Sequence, residues 1–359
     1  MRKRRGTRKV KFGQLSVGGK APVSVQSMTK TDTRDVKATV RQIRGLEKVG
    51  CQVIRVAVPD EEAARCLGRI KERIKIPLIA DIHFDYRLAL IAIEEGVDGL
   101  RLNPGNIRDK RKIKTIIKAV KAAQIPVRIG INSGSLENRY RSRIKDYDLP
   151  LAMVKSAGDY IKIFEDLDFY DLIISLKASD VPATVKAYRL MAERCDYPFH
   201  LGITAAGPSF RGAIRSAVGL GILLSEGIGD TIRVSLTGNP REEVKAGYEI
   251  LKSLGLFREG PTLISCPTCG RCTIDLVKIV TQVERKLSTS NLQPSTFKIA
   301  VMGCVVNGPG EAREADIGVA GGKGFGVLFR KGKVIKKVPE SKLVETILEE
   351  IESKIRGTK

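Results

Sequence analysis

The segment Val53-Ile-Arg-Val-Ala-Val58 is an apolar, β-branched run typical of a buried strand, and the stretches on both sides of it have the apolar spacing of helices. Before it, apolar side chains recur at Val36, Val40, Ile43, Leu46 and Val49; after it, they recur at Leu67, Ile70 and Ile74. Strands that alternate with helices in this way pair in parallel within one sheet. The segment and its flanks therefore predict an α/β fold.

The same strand–helix unit recurs eight times before residue 240. Its strand-like runs are residues 23–28, 53–58, 78–84, 100–102, 127–131, 172–176, 199–204 and 231–236. Eight units in about 220 residues is the size of a (β/α)8 barrel. A doubly wound open sheet is the competing architecture, but no early Gly-x-Gly-x-x-Gly segment marks a dinucleotide crevice. We therefore predict a TIM barrel.

A second, smaller domain is expected after the barrel. The chain has 359 residues, whereas a single core stops growing at roughly 250 to 300 residues. We predict a barrel domain over residues 1–256 and an α+β domain over residues 262–359. The elements expected in the second domain are a helix at 273–287, strands at 297–302 and 316–320, a hairpin through 330–333 and a C-terminal helix from 343 to 355.

Charged and polar side chains lie in or directly after the strand-like runs. Five runs carry a cation: Arg55, Arg101, Arg128, Lys177 and Arg233. The other polar residues at these positions are Asp81, His83, Asn103, Asn132 and Ser235. In a TIM barrel the active site is built at the carboxyl ends of the strands. One arginine could pair with an acid, but five converging cations predict a ligand with several negative charges, such as a diphosphate.

The histidine at position 83 stands two residues after Asp81. A histidine beside a carboxylate is either a proton shuttle or a structural residue oriented by its neighbour. Both interpretations remain open from the pattern alone.

The formal net charge of +23 raises the hypothesis of nucleic-acid binding. Aromatic residues make up only 5% of the chain, however, and no nucleic-acid recognition motif is visible. We therefore expect a solvated basic surface and an anionic substrate, and no nucleic acid. No run approaches the roughly 20 apolar residues of a membrane helix, and no apolar segment follows the basic N-terminus, so we predict a cytoplasmic protein without a membrane partner.

Four of the seven cysteines fall in two short segments, Cys266-Pro-Thr-Cys269-Gly-Arg-Cys272 and Met302-Gly-Cys304-Val-Val-Asn-Gly-Pro-Gly-Glu311. A Cys-x-x-Cys turn brings two thiolates to one centre, and Cys304 opens a Gly- and Pro-containing loop that can wrap a cofactor. Zinc and an iron–sulfur cluster both fit these donors. The lone Cys304 and the missing nicotinamide or flavin fingerprint favour a redox cluster. The isolated Cys51, Cys66 and Cys195 are expected to be buried apolar residues.

Longer motifs resemble one enzyme family. They are Ala-Asp-Ile-His-Phe-Asp85, Leu-Arg-Leu-Asn-Pro-Gly-Asn-Ile107, Val-Arg-Ile-Gly-Ile-Asn-Ser-Gly-Ser-Leu136, Leu-Leu-Ser-Glu-Gly-Ile-Gly-Asp-Thr-Ile-Arg-Val-Ser-Leu236 and the two cysteine segments, the second continued to Asp316. These segments resemble the 4-hydroxy-3-methylbut-2-enyl diphosphate synthase family of the non-mevalonate isoprenoid pathway, in its short two-domain form. The resemblance covers nearly the whole chain.

The resemblance implies the reductive ring opening and dehydroxylation of 2-C-methyl-D-erythritol 2,4-cyclodiphosphate. It implies a 4Fe-4S cluster held by Cys266, Cys269, Cys304 and Glu311, with electrons from ferredoxin or flavodoxin. It also implies a homodimer in which the cluster domain of one protomer closes over the barrel of its partner. Cys272 departs from the commonest family pattern and could compete with Glu311, which we keep as the fourth ligand.

Carried over position by position, the resemblance assigns the substrate to most of the polar residues already named and places Asp81 and His83 near the reacting centre. The substrate-binding set is Arg55, Arg101, Asn103, Arg128, Asn132, Lys177, Arg233 and Ser235. Ala205 departs from the family, which usually has a glutamate implicated in proton transfer at this position. Either the chain is weakly active, or Glu226 or Asp81 replaces that acid, or the glutamate only positions the substrate.

Two other functions fit parts of the sequence. One is a barrel transferase or synthase for a phosphorylated or pterin-like substrate, with a C-terminal domain stabilised by a structural zinc ion. The other is a basic nucleic-acid-binding protein with a zinc module. Anaerobic purification separates them from the reductase, because a cluster makes the protein brown whereas zinc leaves it colourless.

Overall fold

The computed structural model describes residues 2–103, 106–107, 109–142, 144, 148–289, 297–304, 310, 313 and 315–356. The chain divides into two compact units, Met1–Phe257 and Arg258–Lys359. Each unit has its own apolar core.

The first unit contains a parallel barrel preceded by a short hairpin. Its strands are β1 (Lys9–Phe12), β2 (Leu15–Gly18), β3 (Ser24–Met28), β4 (Val53–Val58), β5 (Leu78–Ile82), β6 (Gly99–Leu102), β7 (Val127–Asn132), β8 (Leu172–Lys177), β9 (His200–Leu201) and β10 (Thr231–Ile232). Its helices are α1 (Val36–Glu47), α2 (Glu61–Arg65), α3 (Leu67–Lys71), α4 (Tyr86–Glu94), α5 (Lys110–Ala123), α6 (Asn138–Arg141), α7 (Leu149–Glu165), α8 (Val181–Ala192), α9 (Ser209–Ser225) and α10 (Pro240–Ser253).

The eight barrel strands lie in the order β8-β7-β6-β5-β4-β3-β10-β9. Each neighbouring pair is parallel, and a bridge between Ile174 of β8 and Phe199 joins the two ends of the sheet. The predicted TIM barrel is therefore confirmed. Every predicted run contains a strand, although the strands in 199–204 and 231–236 are only two residues long.

Asx side chains cap seven of the helices of the first unit, whereas α6 and α9 have no side-chain cap within the described chain. Each accepts a hydrogen bond from a backbone N–H of the first turn; they are Asp35, Asp60, Asp85, Asp109, Asp148, Asp180 and Asn239. Such a cap contributes about 1 kcal/mol to stability. Because the caps fix where each helix begins, they also fix the loops at the carboxyl ends of the strands.

The hairpin β1–β2 was not predicted. Phe12 and Val17 are buried against Val53, Ile79 and Ile173, which lie at or near the amino ends of barrel strands. The hairpin therefore covers the end of the barrel opposite the carboxyl ends of the strands. The carboxyl end is left as the place where an active site can open.

The second unit is an α+β module, as predicted. Its elements are β11 (Pro261–Ser265), α11 (Leu276–Thr289), β12 (Phe297–Met302), β13 (Ile317–Gly322), β14 (Phe325–Arg330), β15 (Lys333–Pro339) and α12 (Leu343–Arg356). The sheet order is β11-β12-β13-β14-β15, with β11 to β13 parallel and β13 to β15 antiparallel. Strand β11 was not among the predicted elements. Among the described residues of both units, no helix is sufficiently long and apolar to cross a bilayer.

Candidate anion-binding site and cysteine site

Five cationic side chains from different barrel strands point into the barrel. Arg55, Arg101, Arg128 and Lys177 belong to β4, β6, β7 and β8, and Arg233 follows β10 directly. Arg128 is 1% exposed and Lys177 is 9% exposed. Burial, followed by repulsion from neighbouring guanidinium groups, lowers the pKa of both residues well below their ordinary values. The predicted convergence of cations is thus present and is electrostatically strained.

Asp81 is the acid that two of these cations share. Arg101 Nη1 lies 3.2 Å from Asp81 Oδ1, and Arg55 Nη1 and His83 Nε2 each lie 3.5 Å from Oδ2. Burial alone would raise the pKa of Asp81. Arg55, the hydrogen bond from His83 and Arg101 nevertheless hold that pKa well below its ordinary value. Asp81 therefore stays ionised and orients His83 at the rim.

A second buried acid, Glu243 of α10, was missed by the sequence analysis. Glu243 is 1% exposed, and its carboxylate lies 3.0 Å from Lys30 Nζ and 3.6 Å from Arg233 Nη2. It also accepts from the backbone N–H of Leu236 at 3.1 Å and from Ser27 Oγ at 3.3 Å. The sequence Arg-Glu-Glu at the start of a helix suggests acids exposed in the first turn. Nothing in it indicates that Glu243 is buried and pairs with Lys30 and Arg233.

Several buried donors on the cations have no hydrogen-bond partner in the described part of the chain: Arg55 Nε, Arg128 Nη2 and Arg233 Nε. Arg128 Nη1 does donate to Gln26 Oε1 at 2.5 Å. A buried N–H group without a partner costs roughly 1 to 3 kcal/mol. Among the described residues two acids, one of them also paired with Lys30, face these five cations. With the unsatisfied donors, this fits a site for a ligand that brings several acceptor oxygens and negative charge.

Gln26 and Met28 of β3 were also missed. Met28 Sδ lies 2.9 Å from Arg55 Nη2 and 3.7 Å from Arg233 Nη1, so β3 lies between the two arginines. The same two-residue alternation that pointed to Arg55 in β4 could have identified Gln26 and Met28.

Two glycines make room for the cations. A Cβ at Gly130 would lie 2.5 Å from Arg101 Nε, and one at Gly202 would lie 2.5 Å from Lys177 Nζ. Any other residue at either position would displace the charged group. The strands next to Arg101 and Lys177 are therefore adapted to them.

The remaining predicted residues lie around these charges. Asn103 is buried and donates to Ser135 Oγ at 2.7 Å, which ties the end of β6 to the turn after β7. Asn132 pairs in register with Lys177, and Ser235 is half-buried beyond β10. Ala205 is exposed and has φ = 49°, a left-handed conformation that is unfavourable for residues other than glycine.

Neither acid suggested as a replacement for the family glutamate is suited to that role. Glu226 forms a salt bridge with Arg189 and ends α9, whereas Ala205 precedes the start of that helix. Glu226 therefore lies near the amino ends of the barrel strands, whereas the candidate site is at their carboxyl ends. Asp81 faces the cations, but its lowered pKa keeps it from donating a proton. The placement of Glu226, bound to Arg189 at the far end of α9 from Ala205, does not favour it as the proton donor.

In the second unit, the two cysteine segments emerge at one edge of the sheet. Parallel strands β11 and β12 end side by side, with Ser265 paired to Val301. Cys266 follows the first strand, and its Sγ accepts a hydrogen bond from the Gly303 N–H at 3.2 Å, directly before Cys304. Within the described residues, no three potential metal donors are close enough together to form a metal site. Glu311 lies outside the described residues.

Cys272 is half-buried beside the apolar core of the second unit, as Cys266 is, and its sulfur also lies next to Gly303. Its thiol donates to the carbonyl of Ile274 at 3.3 Å, and its sulfur packs on the core built around α11 and α12. Cys269, by contrast, is exposed. Thr268, between Cys266 and Cys269, has φ = 46°, so the backbone adopts the left-handed conformation within this turn. Elsewhere, Cys51 and Cys66 are buried as predicted, and Cys195 is half-buried.

The fold and the site define a class: TIM-barrel proteins that bind a polyanion at the strand ends and carry a separate cysteine-containing module. Comparison with known proteins identifies the family. The model of the GcpE TIM-barrel domain matches residues 7–248, and that of the GcpE protein C-terminal domain matches residues 262–353. The chain belongs to the GcpE family.

Curated relatives are similar over nearly the full length. A protein of Clostridium perfringens is 55% identical over 98% of this chain and 99% of its own length. One of Thermodesulfovibrio yellowstonii is 56% identical over the same shares. Both are named 4-hydroxy-3-methylbut-2-en-1-yl diphosphate synthase (flavodoxin).

Solved structures give a more distant likeness. Dihydropteroate synthase of Stenotrophomonas maltophilia has a TM-score of 0.53 at 16% identity, covering 69% of this chain and 97% of that one. The Yersinia pestis enzyme has a TM-score of 0.51 at 12% identity, covering 69% and 98%. At such identities the likeness concerns the fold alone.

Proposed function

We propose that this chain catalyses the reductive ring opening and dehydroxylation of 2-C-methyl-D-erythritol 2,4-cyclodiphosphate to 4-hydroxy-3-methylbut-2-enyl diphosphate. The observation that carries the proposal is the set of five cations inside the barrel, three of which keep buried donors unpaired among the described residues. Near-full-length identity of about 55% to named synthases supports the same conclusion. The alternative is a transferase whose C-terminal domain is stabilised by zinc. It is supported only by the distant likeness of the fold to dihydropteroate synthases.

The barrel residues bind and orient the substrate. Arg55, Arg101, Arg128, Lys177 and Arg233 supply the counter-charge for the diphosphate, and Asn103, Asn132 and Ser235 add polar contacts around it. Arginine forks fit phosphate oxygens bidentately, so they fix the direction of the diphosphate as well as its charge. Asp81 holds His83 at the rim of the barrel, beside the proposed position of the substrate.

A 4Fe-4S cluster is the cofactor implied by the family. Three thiols are available for it: Cys266 and Cys304 follow adjacent parallel strands, and Cys269 lies on an exposed turn. Among the described residues these donors are not gathered at one point in this structure. We assign these three thiolates and Glu311 as ligands, as the family resemblance implies. Cys272, whose sulfur also lies beside Gly303, is the competing fourth donor that the variants below distinguish. When bound, such a cluster supplies single electrons to the substrate.

The relatives' names support flavodoxin as the electron donor, with ferredoxin as the other candidate. We also propose a homodimer in which the cysteine-containing unit of one protomer covers the barrel of its partner. This arrangement would bring a redox centre to the substrate while excluding water.

Anaerobic purification with ligand variants tests the proposal. We expect a brown protein that contains iron and sulfide, with colour lost in Cys266→Ala and Cys304→Ala and retained in Cys272→Ala. A colourless zinc protein would contradict the reductase. Loss of iron in Cys272→Ala, together with retention in Glu311→Gln, would instead make Cys272 the fourth ligand. Binding of inorganic diphosphate, lost in Arg128→Ala, tests the barrel site separately.

A further inference from the structure

A cleft on the outer surface of the barrel unit has a cationic lining. It has a volume of about 530 Å³ and lies between α1, the turn after α3 and the start of α10. Its lining residues are Lys37, Val40, Arg41, Arg44, Gly45, Lys48, Arg73 and Arg241. No aspartate or glutamate is among them. We propose that this cleft, which we name the α1 cleft, is a second anion site that binds a small molecule carrying two or three linked phosphate groups.

The charges of the α1 cleft follow one side of α1. Lys37, Arg41, Arg44 and Lys48 are spaced by three or four residues, so their side chains lie one above the other. Like charges at this spacing repel one another and destabilise a helix. An anion in the cleft would turn this repulsion into attraction.

The acids close to the α1 cleft are engaged elsewhere. Glu47, the single carboxylate of α1, accepts from the backbone N–H groups of Lys75 and Ile76. Glu242 pairs with Lys245 at 3.1 Å, and Glu243 is buried inside the barrel. Within the described chain, none of the six lining cations has a carboxylate within 4.0 Å. Their counter-charge is therefore left to a ligand or to solvent ions.

Gly45 leaves space in the α1 cleft. It lies within α1, where glycine is less favourable than alanine because its backbone loses more conformational freedom on folding. A Cβ at this position would meet no atom within 4 Å, so helix packing does not require the glycine. The missing side chain bares the backbone between Arg41, Arg44 and Lys48, where an anion could approach the helix closely.

The shape of the α1 cleft selects the ligand class. From residue 37 to residue 48 the helix rises by about 16 Å, a distance that one phosphate cannot span. A linked di- or triphosphate could contact several of the arginines, which bind phosphate bidentately. No aromatic side chain lines the cleft to stack on bases, as single-stranded nucleic acid sites require. Nucleoside triphosphates and prenyl diphosphates share the required chemistry.

The test uses the full-length, cluster-containing protein and isothermal titration with inorganic tripolyphosphate at low salt. We expect two classes of site, one of which is lost in the barrel variant Arg128→Ala. The other should weaken by at least about tenfold in Lys37→Ala/Arg41→Ala, because each lost charged contact is worth about 1.5 kcal/mol or more. The matched control is Lys114→Ala/Lys118→Ala, which removes two exposed cations at the same spacing from α5.

A second pair of variants separates binding from folding. Gly45→Glu should abolish the second class of site, whereas Gly45→Ala should keep it and should not lower thermal stability. ATP and geranyl diphosphate, titrated separately, identify which source of polyphosphate the cleft prefers. Equal weakening in the α1 and α5 double variants would overturn the proposal, because it would mean diffuse attraction by the net charge. Binding of a single-stranded oligonucleotide in the cleft without binding of tripolyphosphate would also overturn it.

Discussion

Ala205 combines a missing acid with a strained backbone. Its φ of 49° places it in the left-handed region, and the turn that contains it follows β9 at the carboxyl end of the barrel. Glu226 is bound to Arg189 at the other end of α9, and Asp81 is held ionised, so neither replaces the side chain that the family usually has here.

We therefore predict that Ala205→Glu raises turnover sharply with little change in substrate affinity. The new carboxyl group would stand at the strand ends, where it can hold a proton near the substrate, while the cations that bind the diphosphate are untouched. Steady-state kinetics of the cluster-containing protein measure the effect. Ala205→Gln is the matched control, since it has similar size but no proton to transfer. Unchanged turnover in Ala205→Glu would contradict the prediction.

Glu243 connects one helix to two strands. From the first turn of α10 its carboxylate accepts hydrogen bonds from Ser27 of β3 and from the backbone after β10. It also forms ion pairs with Lys30 and Arg233. Lys30 in turn donates to the carbonyls of Leu236 and Gly238. The loop that carries Ser235 is thus tied to both strands through one buried carboxylate.

We predict that Glu243→Gln lowers the free energy of unfolding by about 2 kcal/mol. This is less than the 3 to 5 kcal/mol typical of a broken buried ion pair, because Lys30 is one third exposed. Diphosphate should restore more stability to this variant than to the wild type, since the ligand replaces the missing negative charge beside Arg233. Denaturant unfolding with and without diphosphate measures both effects. Glu242→Gln, which breaks an exposed pair with Lys245, should change neither quantity noticeably.

The elements that could be predicted from sequence are those with a strong period. The barrel strands and the helices of both units were found because their apolar residues recur with a clear spacing. The hairpin β1–β2 was missed because its buried residues, Val10 and Phe12, alternate with lysines in a basic segment that suggests an exposed tail. Strand β11 was missed because its residues are only half-buried or exposed, so its pattern resembles a loop.

Some residues of the candidate site could likewise be predicted from the sequence, and others could not. Cations within apolar strands were identifiable because a charge there needs an explanation. Glu243 could not be identified from the sequence, since acids in the first turn of a helix are common on protein surfaces. Its burial follows only from the packing of α10 on the barrel. Gly130 and Gly202 gave no signal either, because their role depends on Arg101 and Lys177 from neighbouring strands.

At the scale of the whole barrel, charge couples ligand binding to protons. Burial, with repulsion from Arg128, Arg233, Arg55 and Arg101, lowers the pKa of Lys177 well below 10.5. Between that lowered pKa and 10.5, the folded state holds fewer protons than the unfolded chain, so the unfolding free energy rises with pH in this window. A bound diphosphate would raise the pKa of Lys177 again.

We therefore predict that diphosphate binding takes up protons at pH values between the lowered pKa of Lys177 and 10.5. In this pH range Lys177 loses its proton more readily without ligand than with it, so it regains a proton when the negative charge arrives. Isothermal titration in two buffers of different ionisation enthalpy measures the number of protons exchanged. Lys177→Met should abolish most of the uptake, whereas Lys155→Met, on the outer surface of α7, should leave it unchanged. Identical heats in the two buffers would contradict the prediction, because they would show that Lys177 is already protonated in the free protein. The five cations of the barrel would then all be charged without a ligand.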